Sequence, residues 1–234
     1  MDINDERILD AVRRTEILRP PKQHLTTFGT TNIYYYLVTE PAYSDLVNDI
    51  TETVVREGRI IAERPRIVTP YYLSRLAGFS SDAKRYFEEL INAQGGNAPG
   101  LFYTYKNEPK ELNIASDKLL SVVNKLNAKI DKRGDPLTAI IKGADELWDV
   151  SLMKFIYELT RSSLQNNLQQ MGARGLLETD AIGIPADVRI RIEKLFTQVS
   201  QGECEPRELK DELDRWGLFE EYEDKFFTFF GKGG

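Results

Sequence analysis

Residues 32–39 read Asn-Ile-Tyr-Tyr-Tyr-Leu-Val-Thr. The run is almost purely β-branched and aromatic, and successive side chains of a strand point to opposite faces. Both faces are therefore apolar, as in a central strand covered on two sides. Glu40-Pro41 stops it. The rest of the chain is then read for flanking strands and covering helices.

Ahead of that strand, Ile3, Ile8, Leu9 and Val12 share a helical face, which predicts a helix over 2–14. Pro20-Pro21 predicts an extended arm over 15–28, because neither proline has an N–H and both fix φ. Beyond it, 42–49 reads as a short helix. Gly58 suits a tight turn, so 51–56 and 59–63 read as a hairpin. Thr69-Pro70 is a helix-start signal for 70–77, ended by Gly78. A second helix over 80–92 carries Ala83, Tyr86, Phe87, Leu90 and Ile91 as its apolar stripe. After a loop at 95–100, 101–106 and 111–115 read as a second hairpin around Asn107-Glu108-Pro109-Lys110. Ser116 is the expected cap of a helix reaching 131, and further helical runs are predicted over 137–148, 151–171 and 186–200. The end, 207–230, reads as two helices split near Gly217.

Strands early and helices late predict an α+β fold. The expectation is a small antiparallel sheet of four or five strands within residues 30–115, covered by helices, and a helical C-terminal half. The corresponding lobes are 1–116 and 117–234, with 172–185 as the candidate linker.

Inventory excludes many chemistries. With one Cys and one His, neither a disulfide framework nor a Cys/His zinc site is expected. No apolar run approaches the ~20 residues that span a bilayer. The acidic start lacks the pattern of a signal peptide, so a cytoplasmic protein with no membrane association is expected. No phosphate-cradling glycine motif and no G-x-S-x-G occurs. His24, on the proline arm, would need a serine folded beneath it to act as a base. Cys204 lies between Glu203 and Glu205, and flanking acids raise a thiol pKa. No catalytic residue, metal site or cofactor is therefore assigned. Glu40, Glu63, Glu108 and Glu111 remain as carboxylates that would matter only by converging at one sheet end.

Two positive features remain, and they are oppositely charged. Residues 56–85 hold seven bases against three acids, a balance of +4. Within them Arg64 and Arg66 share one side of an extended segment, and Tyr71 and Tyr72 follow at a helix start. Guanidinium forks beside free helix N–H groups suit a phosphate or carboxylate, and a tyrosine can stack on a base. Residues 201–234 hold ten acids and five bases, a balance of −5. There Trp216, Phe219, Tyr222, Phe226 and Phe230 form an acidic aromatic end suited to a protein partner. That end either closes its own core, acting as a lid, or docks elsewhere. The leading expectation is a non-catalytic cytoplasmic interaction or regulatory protein that binds a protein partner or itself. The alternative is an anion-, phosphate- or nucleic-acid-binding module, or a carboxylate/Mg-dependent enzyme, centred on Arg64 and Arg66.

Overall fold

A computed structural model describes residues 3–41, 52–68 and 100–230. The helices expected over 42–49, 70–77 and 80–92, with Tyr71 and Tyr72, lie outside the described residues. The chain divides into two compact units, Met1–Pro65 with Tyr103–Asn167 and Arg66–Phe102 with Leu168–Gly234.

The first unit is built on a five-stranded mixed sheet. Helix α1 (Ile3–Arg14) leads into β1 (Glu16–Arg19), and the apolar run becomes β2 (Thr31–Thr39). Then come β3 (Thr53–Ala62) and, after β4 (Arg66–Val68) and β5 (Gly100–Phe102) of the second unit, β6 (Tyr105–Ala115). Helix α2 (Leu119–Arg133), strand β7 (Thr138–Lys142) and the long helix α3 (Trp148–Gly172) follow. The strand order is β1-β7-β2-β3-β6. All pairings are antiparallel except β2 with β7, which run parallel, with Tyr34 opposite Thr138 and Val38 opposite Lys142.

Strand β2 is covered on both sides, as its composition demands. Ile33, Tyr35 and Leu37 face Leu152, Phe155, Ile156 and Leu159 of α3, together with Ala139 and Ile141 of β7. Tyr36 and Val38 face Val122, Val123, Leu126 and Ile130 of α2, together with Ile140. Those α2 positions recur at helical spacing, and Gly134 at φ 69 ends the helix by donating to the Ile130 and Asp131 carbonyls.

Four local expectations are corrected. The hairpin at Gly58 is one continuous strand, β3. Gly58 is there because the Tyr35 ring lies over its Cα, where a Cβ would stand within 2.8 Å of a ring carbon. The hairpin around 107–110 is likewise one strand. Its register against β3 slips between Glu57 and Gly58, which pair with Glu111 and Pro109, so Lys110 is an extra residue in a bulge. Proline is tolerated there because β6 is last in the strand order. The helix expected over 137–148 is instead β7 up to Lys142, a run fully or nearly buried on both faces. Finally, α2 is capped at Lys118 in extended conformation with no side-chain cap, so Ser116 does not perform that role.

The second unit is mainly helical. It contains α4 (Ala186–Ser200), α5 (Pro206–Trp216) and α6 (Phe219–Phe230), with β4 paired antiparallel to β5. Pro206 opens α5 where its missing N–H costs nothing, and Gly217 at φ 67 closes it. The core joins Val188, Ile192 and Phe196 of α4 to Leu209, Leu213 and Trp216 of α5, Phe226 of α6 and Val68 of β4.

Candidate functional site

The sheet does not bring the four carboxylates together. Glu40 follows the carboxyl end of β2 and Glu63 that of β3, and these two strands are antiparallel, so the pair lies at opposite sheet ends. Glu111 stands opposite Glu57. Glu108 is opposite Arg59, which binds it through Nε at 3.1 Å and again through Nη2, and Lys106 adds a contact at 2.9 Å. The Arg59 hydrogen bonds, helped by Lys106, hold the Glu108 carboxyl down near a pKa of about 2. A carboxyl held ionised in this way is a poor proton donor. Its folded value lies below the ordinary 4.5, so its stabilising contribution is complete above that pH and lost as pH falls towards about 2. Arg59→Met is expected to return the Glu108 titration towards the ordinary carboxylate value, as read by side-chain carboxyl NMR. An unmoved midpoint would show that Arg59 is not the cause. Among the described residues no group of three or more His, Cys, Asp or Glu side chains is placed to hold a metal ion.

Arg64 belongs to the first unit and Arg66 to the second. The Arg64 guanidinium lies 5.9 Å from the centre of the Phe28 ring, and Arg66 opens β4 opposite Phe102. The Cys204 thiol pKa is pushed up, by burial first and then by the Glu208 and Glu205 carboxylates rather than by Glu203.

The acidic aromatic end is partly core and partly surface. Trp216 and Phe226 are buried, and Phe219 and Tyr222 pack partly buried against the same cluster. Tyr222 stacks on Phe196 at 5.7 Å, and Phe219 meets Phe226 edge-on at 5.6 Å. Phe230 is the last residue of α6. Phe227 and Phe229, next to these, are 55% and 46% exposed.

Sequence reasoning missed three arrangements because each joins residues far apart in the chain. At the carboxyl end of the parallel β2–β7 pair, Asp145 accepts from Arg56 at 2.7 Å and from Thr39 at 2.8 Å, and Arg56 lies over the Trp148 ring at 5.7 Å. Ligands commonly bind outside the carboxyl ends of such strands, but here this cluster ties the loop after β7 to β2 and β3. On the α2 side of the sheet, a groove of about 210 Å³ is lined by Tyr34, Tyr36, Lys110 and Arg133. Glu57 and Asp135 line it too, so its charges balance and it does not single out an anion.

The third arrangement is a pocket of about 310 Å³ between the proline arm and α3. Ile17, Phe155 and Leu159 contribute apolar surface, and Lys22, His24, Glu158 and Ser162 contribute polar groups. The arm thus does pass near a serine. The Ser162 hydroxyl, however, donates to the Leu159 carbonyl at 2.9 Å, and His24 makes no hydrogen bond to it. Among the described residues no helix is long and apolar enough to cross a membrane. No family model, curated protein or solved structure matches this chain.

Proposed function

We propose that the chain is a non-catalytic, cytoplasmic protein-interaction module whose docking element is α6, through two phenylalanines that flank its buried stripe on either side. The observation that carries this reading is the pair Phe227 and Phe229. Both are about half exposed on a helix whose neighbouring aromatics are already packed inside. Leaving two phenylalanines in water forgoes burial of about 25 cal/mol per Å² of apolar surface, which a partner can recover. Their surroundings choose the partner. Glu220, Glu221, Glu223 and Asp224 precede them on α6, with Lys225 as the one base of that helix. The complement is a partner surface that offers apolar contact to each of the two rings and carries a basic rim. A second copy of this acidic chain, at net charge −6, is the less suitable occupant.

The test compares the wild-type chain with Phe227→Ala/Phe229→Ala. Phe227 lies edge-on to Phe226 at 5.8 Å and Phe229 tilts against Phe196 at 5.8 Å, so some stability is lost. At about 0.5–1.5 kcal/mol per aromatic pair, the variant still folds. The expected result is a discrete complex in size-exclusion chromatography with light scattering, weakened by salt and abolished in the folded double variant. A complex that survives the double substitution unchanged would overturn this use of α6. A homodimer lost in the variant would make the partner a second copy.

A further inference from the structure

We infer that the pocket between the 20–24 arm and α3 binds a small zwitterion with an apolar body, the chemistry of a free apolar α-amino acid. This site is separate from α6 and does not depend on the proposed docking role.

The argument rests on how polarity is divided across the pocket. On the α3 side stand Glu158 and Ser162, four residues apart and hence on one helix face. Both are acceptors there. The Ser162 hydroxyl donates its hydrogen bond to the Leu159 carbonyl, leaving its lone pairs for a donor. Glu158 has Lys154 only at 3.8 Å, because that ammonium donates to the Val12 and Thr15 carbonyls at 3.1 and 2.8 Å. A carboxylate and a hydroxyl oxygen presented together suit a ligand ammonium.

On the arm side stand Lys22, Gln23 and His24. None of their side chains makes a hydrogen bond to another described residue, while the Lys22 backbone N–H is anchored to the Pro136 carbonyl at 2.8 Å. The backbone is thus held, and of the three side chains only Lys22 has a charged neighbour, the Asp131 carboxylate, which Arg19 already binds at 2.6 Å. An ammonium, an amide and an imidazole supply the N–H donors that a carboxylate takes. Between the two polar sides the surface is apolar. Phe155 and Leu159 belong to the main core and hold the floor still.

Size agrees. A volume of about 310 Å³ equals about ten waters at roughly 30 Å³ each, enough for one amino acid and its residual hydration. It lies at the small end of the ~300–1,000 Å³ typical of ligand pockets. A purely anionic ligand would leave Glu158 opposed, and a purely cationic one would face Lys22. Only a molecule bearing both charges meets each side with its complement.

His24 is the single histidine, so its imidazole carbon-bound protons give a unique NMR reporter at the pocket mouth. Leucine, 4-methylvalerate (no ammonium), isopentylamine (no carboxylate) and glycine (no apolar body) are titrated into the full chain. Leucine is expected to shift the His24 signal saturably, with each of the other three binding at least about tenfold more weakly, a difference of about 1.4 kcal/mol. Glu158→Gln, at a surface position, is expected to weaken leucine about tenfold while 4-methylvalerate binds no more weakly than before. That selectivity separates loss of an ammonium contact from a general disturbance of the fold. Equal responses to leucine and 4-methylvalerate, no saturation with leucine up to about 10 mM, where a ~1 mM site would be mostly filled, or an unaffected Glu158→Gln would each overturn the assignment.

Discussion

Replacing Glu212 by Ala is expected to cost the chain about 3–5 kcal/mol, the usual penalty for removing one member of a buried ion pair. Glu212 is 4% exposed and sits on α5, where Arg191 of α4 donates to it. The Trp216 indole N–H donates to the same oxygen at 3.1 Å, and Arg215 approaches at 3.7 Å. Arg191 is already poorly served: its Nε and Nη1 atoms are buried with no hydrogen-bond partner. Taking away the carboxylate leaves a guanidinium buried beside a tryptophan with no counter-charge. The paired replacement Arg191→Met/Glu212→Leu removes both charges, though it also takes the acceptor from the Trp216 N–H, and is expected to cost clearly less than Glu212→Ala. Urea unfolding of the single and paired variants, followed by tryptophan emission in a Trp148→Phe background, measures the difference. Equal midpoints for the two would mean that the ion pair contributes nothing specific.

The second large effect is expected at Gly58→Ala, about 3 kcal/mol, the upper end of the cost of overpacking a core. The added methyl would fall inside contact distance of the Tyr35 hydroxyl and ring, with one ring carbon 2.8 Å away. Tyr35 cannot step aside cheaply. It is 1% exposed, its hydroxyl donates to Asn107 at 3.0 Å, and its ring packs against α3. Tyr35→Phe should bring no relief, since the ring itself is the obstacle. Gly58→Ala/Tyr35→Leu should cost less than the sum of its two single changes by at least about 1 kcal/mol, the non-additivity expected of residues in contact. Thermal unfolding checks this, and strict additivity would refute the clash.

Gly58 also shows what the sequence could and could not disclose. A glycine in a polar step between two β-branched runs has the local signature of a turn, and nothing nearby says that its missing side chain is needed by a ring 23 positions earlier. Pro109 misleads in the same way, since an edge strand with a bulge tolerates a residue that a central strand would not. Strand β7 was hidden because a short apolar run suits a buried helix turn as well as a buried parallel strand. By contrast β2 was legible from composition alone, because a strand apolar on both faces has one kind of place to go. The break between the two last helices was legible because Gly217 marks it by a local rule that tertiary contacts did not override. The acidic aromatic end could be named from sequence, but which of its rings are inside could not, because α6 is apolar around most of its circumference. The amino-acid pocket had no signature at all. Its two walls are separated by more than half the chain, and no spacing rule spans such a gap.

The position of β7 governs the order in which the molecule can be assembled. It lies between β1 and β2, so Glu16 waits for Lys142 and Tyr34 waits for Thr138. During synthesis β2, β3 and β6 can pair as a meander while β1 has no neighbour. One flank of β2 stays open until residue 142 has been made. Contacts of such long sequence separation must overcome loop-closure entropy before they return any stability, which places this topology among the slower folders. The same interval leaves an unpaired apolar edge available to other nascent chains. Helix α2 lies between β6 and β7 in the chain and packs on Tyr36, Val38 and Ile140. It is therefore in place to cover one face of that strand, though not its open flank, before the final neighbour arrives.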